Sequence, residues 1–147
     1  MFKELIKKQR VIFADGFDRW EDAIRAAAQP LLRDGAIEES YIDDMIASVN
    51  KFGPYIVIAP DVAMPHAQGG KGVRETAISF MKVNRPVSFS ASSEHDARLL
   101  FVLASVDNNS HLGMLQALVA AISDDDILAQ LPEIQCIADL QKMFPDC

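Results

Sequence analysis

The stretch Tyr55-Ile56-Val57-Ile58-Ala59-Pro60-Asp61-Val62-Ala63-Met64-Pro65-His66-Ala67 decides how this chain is read. Its first five residues form a continuous β-branched and apolar run, the pattern of a strand buried on both faces. Two prolines then bracket a short segment. Proline fixes φ near about −65° and restricts the residue before it, so Met64 and Pro65 hold the backbone extended and stiff. A single histidine closes the segment. Such an imidazole is either core filler satisfied by a backbone carbonyl, or it is aimed at something.

Working outward, the period upstream is helical. Residues 2–8 read as a short helix, and Val11-Ile12-Phe13 as an edge strand. Asp18 is the expected N-cap of a helix carrying Trp20, Ala23, Ile24 and Ala27 at helical spacing. Pro30 interrupts that pattern and Gly35 ends it. Ser40 and Asp43 match a capping-box variant, and Ile42, Met45, Ile46 and Val49 form the apolar stripe of a helix over 39–50 that stops before Gly53.

Downstream the period is extended. Residues 63–67 continue as extended chain, and Gln68-Gly69-Gly70-Lys71-Gly72 reads as a mobile surface loop whose Lys71 adds positive charge. A strand is expected over 76–83, a turn at Asn84-Arg85-Pro86, and a short strand from Val87. Residues 98–106 carry the strongest strand pattern, expected at the centre of the sheet. Asp107-Asn108-Asn109-Ser110 then opens a helix over 111–123 with Leu112, Leu115, Val119 and Ile122 on its buried face. Two further short helices are expected over 124–131 and 133–144. Helices first, strands next and helices last describe a sheet with helices on both faces.

At 147 residues the chain is expected to form a single domain spanning 1–147. Its 14 basic and 21 acidic residues leave a net charge of −7, which disfavours nucleic acid and anionic lipid as partners. The longest apolar runs, 99–106 and 115–122, are far too short to cross a bilayer. The charged, amphipathic start Met1-Phe2-Lys3-Glu4-Leu5-Ile6-Lys7-Lys8 has no signal-peptide core. Cys136 and Cys147 lack metal-site or CxxC spacing and read as free thiols in a reducing cytoplasm.

Of the three histidines, His95 falls in the polar run Ser92-Ser93-Glu94-His95-Asp96 and reads as a solvated loop residue. His111 follows Ser110 in the first turn of a helix, where unpaired N–H groups and the positive end of the macrodipole favour an anion. Strand-to-helix switches in such sheets gather at one edge, where clefts form. His66 and His111 meeting there could make a metal pair with Asp61 as third ligand, a general-base pair, or a phosphoryl carrier with its orienting partner. No HExxH, GxSxG or GxxxxGK[ST] spacing is present. A neutral imidazole can attack phosphorus and hold the group as a phosphoramidate, provided its other nitrogen is held by an acceptor.

The run 58–67, with Ala63-Met64-Pro65-His66-Ala67 at its end, resembles the active-site segment of enzyme IIA of the bacterial phosphotransferase sugar-uptake systems, mannitol/fructose-type superfamily. Ser110-His111-Leu112 resembles that family's second active-site histidine, and Trp20-Glu21-Asp22-Ala23-Ile24, Gly35-Ala36-Ile37 and Tyr41-Ile42-Asp43-Asp44-Met45-Ile46 resemble its leading helices. The segment Gly53-Pro54-Tyr55-Ile56-Val57-Ile58-Ala59-Pro60 is similar to the L-ascorbate branch. Two departures stand out. Asn50 and Lys51 occupy the place of an arginine found in mannitol and fructose members, and Asp61 stands where a small residue is usual.

The resemblance implies a cytoplasmic phosphocarrier that needs no metal or organic cofactor. Phospho-HPr would donate a phosphoryl group to Nε2 of His66, with His111 stabilising it. His66 would pass it to a cysteine of enzyme IIB, which serves the membrane enzyme IIC. Nitrogen-regulatory relatives imply an alternative, in which phosphorylation of His66 controls partner binding. The expected architecture is α/β (α+β), a central mixed sheet of about five strands in a three-layer sandwich. Met64, Met81 and Met114 are candidates for a docking face, or for core.

Overall fold

Residues 99 to 104 read Leu-Leu-Phe-Val-Leu-Ala, and a strand apolar on both faces is stable only when both faces are covered. The computed structural model, which describes residues 1–67 and 71–145, places them in β5 (Asp96–Ala104), with each of the six at most 1% exposed. The sheet around β5 contains β1 (Val11–Ala14), β2 (Val57–Ala59), β3 (Asp61–Ala63) and β4 (Ala77–Ser88), in the order β1-β4-β5-β3-β2. β1 runs parallel to β4, β4 antiparallel to β5, β3 parallel to β5, and β2 antiparallel to β3. The sheet is open; that it is mixed and five-stranded is as expected.

Alternation along β5 feeds two cores. Leu100, Val102 and Ala104 face the layer of α2 (Trp20–Ala27), α3 (Gln29–Arg33) and α4 (Glu39–Phe52), among Ile24, Leu31, Ile42 and Met45. Leu99, Phe101 and Leu103 face the layer of α1 (Phe2–Lys7), α5 (Asn108–Ile122), α6 (Asp125–Gln130) and α7 (Ile137–Met143). There Phe80 stacks on Phe101 with ring centres 4.6 Å apart, and Phe2 sets an edge against each, at 6.0 and 6.1 Å. α4 ends at Gly53, whose φ of +83° a side chain would oppose. Among the described residues no helix is long and apolar enough to cross a membrane.

Several local expectations are corrected. The run 55–59 is not a strand buried on both faces: only Val57–Ala59 pairs, at the sheet edge, and Ile58 is 38% exposed. Its apolar character serves a rim. Asn84-Arg85-Pro86 does not turn; β4 passes through it with a register shift between Lys82 and Val87, an irregularity that tolerates a proline without an N–H. α2 is capped by Arg19 rather than Asp18, and α4 by Glu38, with no side-chain bond at either cap, so the capping box is not formed. On α5 the buried residue is Leu118, while Leu112 and Val119 are exposed, because the helix covers only part of the sheet. Met64 and Met81 are buried in the cores and form no docking face. The Gln68–Gly70 part of the expected mobile loop, and Cys147, lie outside the described residues.

Candidate functional site

β3 pairs with β5 in parallel with Ala63 opposite Leu100, and the same register three residues further sets His66 opposite Leu103. Leu103 N–H donates to the Pro65 carbonyl at 3.0 Å, so the proline-stiffened segment stays on the ladder beyond the end of β3. Side chains alternate on extended chain. Val62 and Met64 both point into the core that α5 covers, and His66, two residues on, falls on that same face. It sits at the C-terminal end of β5, where the chain leaves the sheet to start α5.

Asp107 caps α5, its Oδ1 accepting from Ser110 N–H at 2.7 Å. His111 is the fourth residue of the helix, and its own N–H is already bonded to the Asp107 carbonyl at 3.1 Å. Its contribution to the site is therefore the imidazole rather than a free backbone donor. The His66 and His111 rings lie 5.5 Å apart, centre to centre, and are tilted by 35°. A group carried on the outer nitrogen of one ring is within reach of the other.

The His66 ring is oriented by its own backbone. Nδ1 lies 2.7 Å from the Met64 carbonyl oxygen, which can only accept. Nδ1 therefore carries the proton, and the lone pair is on Nε2. Burial pushes the imidazole pKa below its ordinary value; the Met64 carbonyl opposes that shift, and His111 adds to it. His66 is thus neutral near pH 7, the form that can act as a nucleophile.

Three neighbours were not legible as site residues. The Tyr55 hydroxyl donates to the His66 carbonyl at 2.9 Å, and its ring meets the imidazole edge-on at 5.2 Å. Phe52 sets an edge against Tyr55 in turn. Ser48, Phe52, Tyr55 and His66 line a cleft of about 320 Å³. The available signal was that Tyr41, Ser48 and Phe52 share a face of α4 with Met45, at spacings of three and four.

Other candidates lie elsewhere. His95 ends a 3₁₀ turn (Ser93–His95) before the start of β5, its Nδ1 2.6 Å from Ser90 Oγ. The length of β5, about 30 Å at about 3.3 Å per residue, separates it from the histidine pair. Asp61 is at that far end too: its carboxylate takes Arg98 Nε at 2.9 Å, Nη2 at 2.6 Å and the Arg98 main-chain N–H at 2.9 Å. It is neither a third ligand to the histidines nor a charge beside them. Lys51 has its ammonium 5.1 Å from the Phe52 ring, and the α4 residues that reach the cleft are Ser48 and Phe52. Among the described residues no group of three or more metal-ligating side chains converges.

Comparison with known proteins gives the family of the chain. The family described as phosphoenolpyruvate-dependent sugar phosphotransferase system, EIIA 2, matches residues 4–146. The ascorbate-specific phosphotransferase-system EIIA component of Escherichia coli K12 is 32% identical over 101 residues, 67% of this chain and 66% of that one. The chain thus spans just under two thirds of that relative's length. The mannitol-specific cryptic enzyme IIA component of Escherichia coli K12 is 37% identical over 112 residues, 76% of each chain. The solution structure of the cryptic mannitol enzyme IIA from Escherichia coli superposes with a TM-score of 0.79 at 33% identity, covering 90% of this chain and 88% of that one. A complex of the Escherichia coli mannitol IIA with phosphorylated IIB shares the fold, with a TM-score of 0.79 at 20% identity over 92% and 93% of the two chains. The fold is that of a solved phosphotransferase enzyme IIA. The chain belongs to the type 2 EIIA family of the phosphoenolpyruvate-dependent sugar phosphotransferase system.

Proposed function

We propose that this chain is a cytoplasmic phosphocarrier of a sugar-uptake system, with His66 as its phosphorylated nucleophile. The observation that carries the reading is the His66 ring itself. Its Nδ1 proton is fixed on the Met64 carbonyl, leaving the Nε2 lone pair free, with His111 5.5 Å away. Nε2 attacks the phosphorus of phospho-HPr; the P–N bond to the carrier breaks as the P–Nε2 bond forms, its electron pair returns to the HPr nitrogen, and the proton stays on Nδ1, donated to the Met64 carbonyl. The His111 imidazole donates to a phosphoryl oxygen and offsets its charge. In the second step a cysteine thiolate of enzyme IIB attacks, the P–Nε2 bond breaks and a P–S bond forms. Enzyme IIB and the membrane enzyme IIC then hand the group to the sugar. The solved complex of the mannitol IIA with phosphorylated IIB supports IIB as the acceptor.

The sugar we assign is L-ascorbate, on the resemblance of residues 53–60 and the ascorbate-specific relative. The mannitol-specific relative makes mannitol the rival outcome. Incubation with enzyme I, HPr and labelled phosphoenolpyruvate tests the function. Acid-labile, base-stable label should appear, vanish in His66→Ala, and pass to an ascorbate-type IIB in preference to a mannitol-type IIB. Undiminished label in His66→Ala refutes the site. Label that passes to no IIB replaces transport with the regulatory role.

A further inference from the structure

In a parallel ladder the residue opposite Leu103 receives one rung from each side. Leu103 N–H donates to the carbonyl before it, and the N–H after it donates to the Leu103 carbonyl. For His66 the first rung is present, Leu103 N–H to the Pro65 carbonyl at 3.0 Å. The second is not a direct bond. Ala67 N–H donates to the Tyr41 hydroxyl at 3.1 Å, and that hydroxyl donates to the Leu103 carbonyl at 2.6 Å. The Ala67 carbonyl is 3.5 Å from the same oxygen, too far to compete for the proton. One phenol oxygen has been inserted into a rung that elsewhere is a single contact of about 2.9 Å.

We propose that Tyr41 is a positioning residue for His66, its hydroxyl holding the last rung open so that the backbone leaves β5 at His66 and turns the imidazole toward α5. The inference rests on the reading of His66 as the nucleophile, but concerns what aims it. Tyr41 is the third residue of α4, only 2% exposed, and buried in the core among aliphatic side chains. Its hydroxyl touches neither imidazole directly; it acts through the backbone on either side. Burial holds its pKa up at about 12, so the hydroxyl keeps its proton and both of its roles, donor and acceptor, across working pH. Tyr55 separately fixes the His66 carbonyl. The bond between Met64 and the His66 ring is set by how the backbone runs from 64 to 67, which is the segment the Tyr41 hydroxyl spaces.

Tyr41→Phe keeps the ring and deletes the spacer. Either Ala67 closes onto Leu103 and drags His66 with it, or a buried N–H and a buried carbonyl are left without partners. Both outcomes loosen the contact from Nδ1 to Met64. In the full chain the expected result is a kcat for phosphoryl acceptance at least tenfold lower, with KM for phospho-HPr within twofold, because Tyr41 is buried away from any docking protein. Long-range ¹H–¹⁵N spectra of the imidazoles should show His66 losing its single Nδ1–H tautomer while the His95 signals stay in place. Unchanged His66 signals and an unchanged kcat in folded Tyr41→Phe overturn the proposal. A second measurement needs no variant: in the wild type the Tyr41 hydroxyl proton should be slow to exchange and show a cross-peak to Ala67 N–H, and its absence also overturns it. If the wild type takes up no label, the phosphocarrier reading fails, yet the tautomer spectra still decide the role of Tyr41.

Discussion

Asp61 lies five residues before His66, and its replacement separates the framework from the site. Its φ of +70° is a conformation that costs an ordinary L-residue about 1–2 kcal/mol, less for Asp and Asn. Its carboxylate binds Arg98 through Nε, Nη2 and the main-chain N–H, where the register between β3 and β5 shifts. The side chains of Arg98 and Asp61 are 34% and 24% exposed, so solvent screens the pair and its charge is worth well below a buried ion pair. Asp61→Asn keeps the tolerated backbone and an acceptor for Arg98 N–H, and should cost about 1 kcal/mol. Asp61→Ala loses every bond and adds the strain, for about 2–4 kcal/mol in all. Urea unfolding measures both. Neither should change the initial rate of phosphoryl uptake by more than twofold, because Asp61 is about 16 Å of extended chain from His66. A large loss of uptake in Asp61→Asn, with stability intact, would refute the placement of this carboxylate outside the site.

The low His66 pKa fixes a pH dependence. The unfolded chain binds a proton near about 6.5 and the folded site only at lower pH, so this histidine's contribution to stability is full above about 6.5 and is lost as pH falls through the folded value. An NMR titration of His66 should therefore show a midpoint below about 6.5, and a midpoint above it contradicts the burial argument. Tyr55→Phe removes one bond to the His66 carbonyl and should cost about 0.5–1.5 kcal/mol and less than tenfold in uptake, read by unfolding and label kinetics. In Gly72→Ala the new Cβ would lie 2.7 Å from Ser40 Oγ and 3.0 Å from Tyr41 N, at a φ of +76°. The backbone atom cannot swing away, so thermal unfolding should show a loss of about 1–3 kcal/mol. Phe101→Ala opens the aromatic stack on the α5 face and should cost about 3–5 kcal/mol in urea, leaving the far core intact.

The central strand, the helical layers and the two histidines were legible because each rests on a period or a local motif. A run such as Leu99 to Ala104 leaves one structural solution, and Asp107 before Asn-Asn-Ser is a helix start by its own chemistry. What escaped is decided by neighbours distant in sequence. Residues 55–59 carry a buried-strand pattern, yet they sit at the sheet edge because Ile56 alone turns fully inward while Tyr55 and Ile58 form the rim. Pro86 within a strand is permitted only by the register shift against β5. Tyr41 looks like one more apolar position of a helical stripe, and its role appears only once Ala67 and Leu103 are brought to its hydroxyl.

The position of the phosphoryl group tests the central claim most directly. The protein, uniformly ¹⁵N-labelled, is phosphorylated with enzyme I, HPr and phosphoenolpyruvate, and its imidazole nitrogens are read by NMR. The account predicts that Nε2 of His66 carries the phosphorus while Nδ1 stays protonated on the Met64 carbonyl, with the His111 resonances perturbed and those of His95 unmoved. Phosphorus on Nδ1 of His66, or on any other residue, would contradict it.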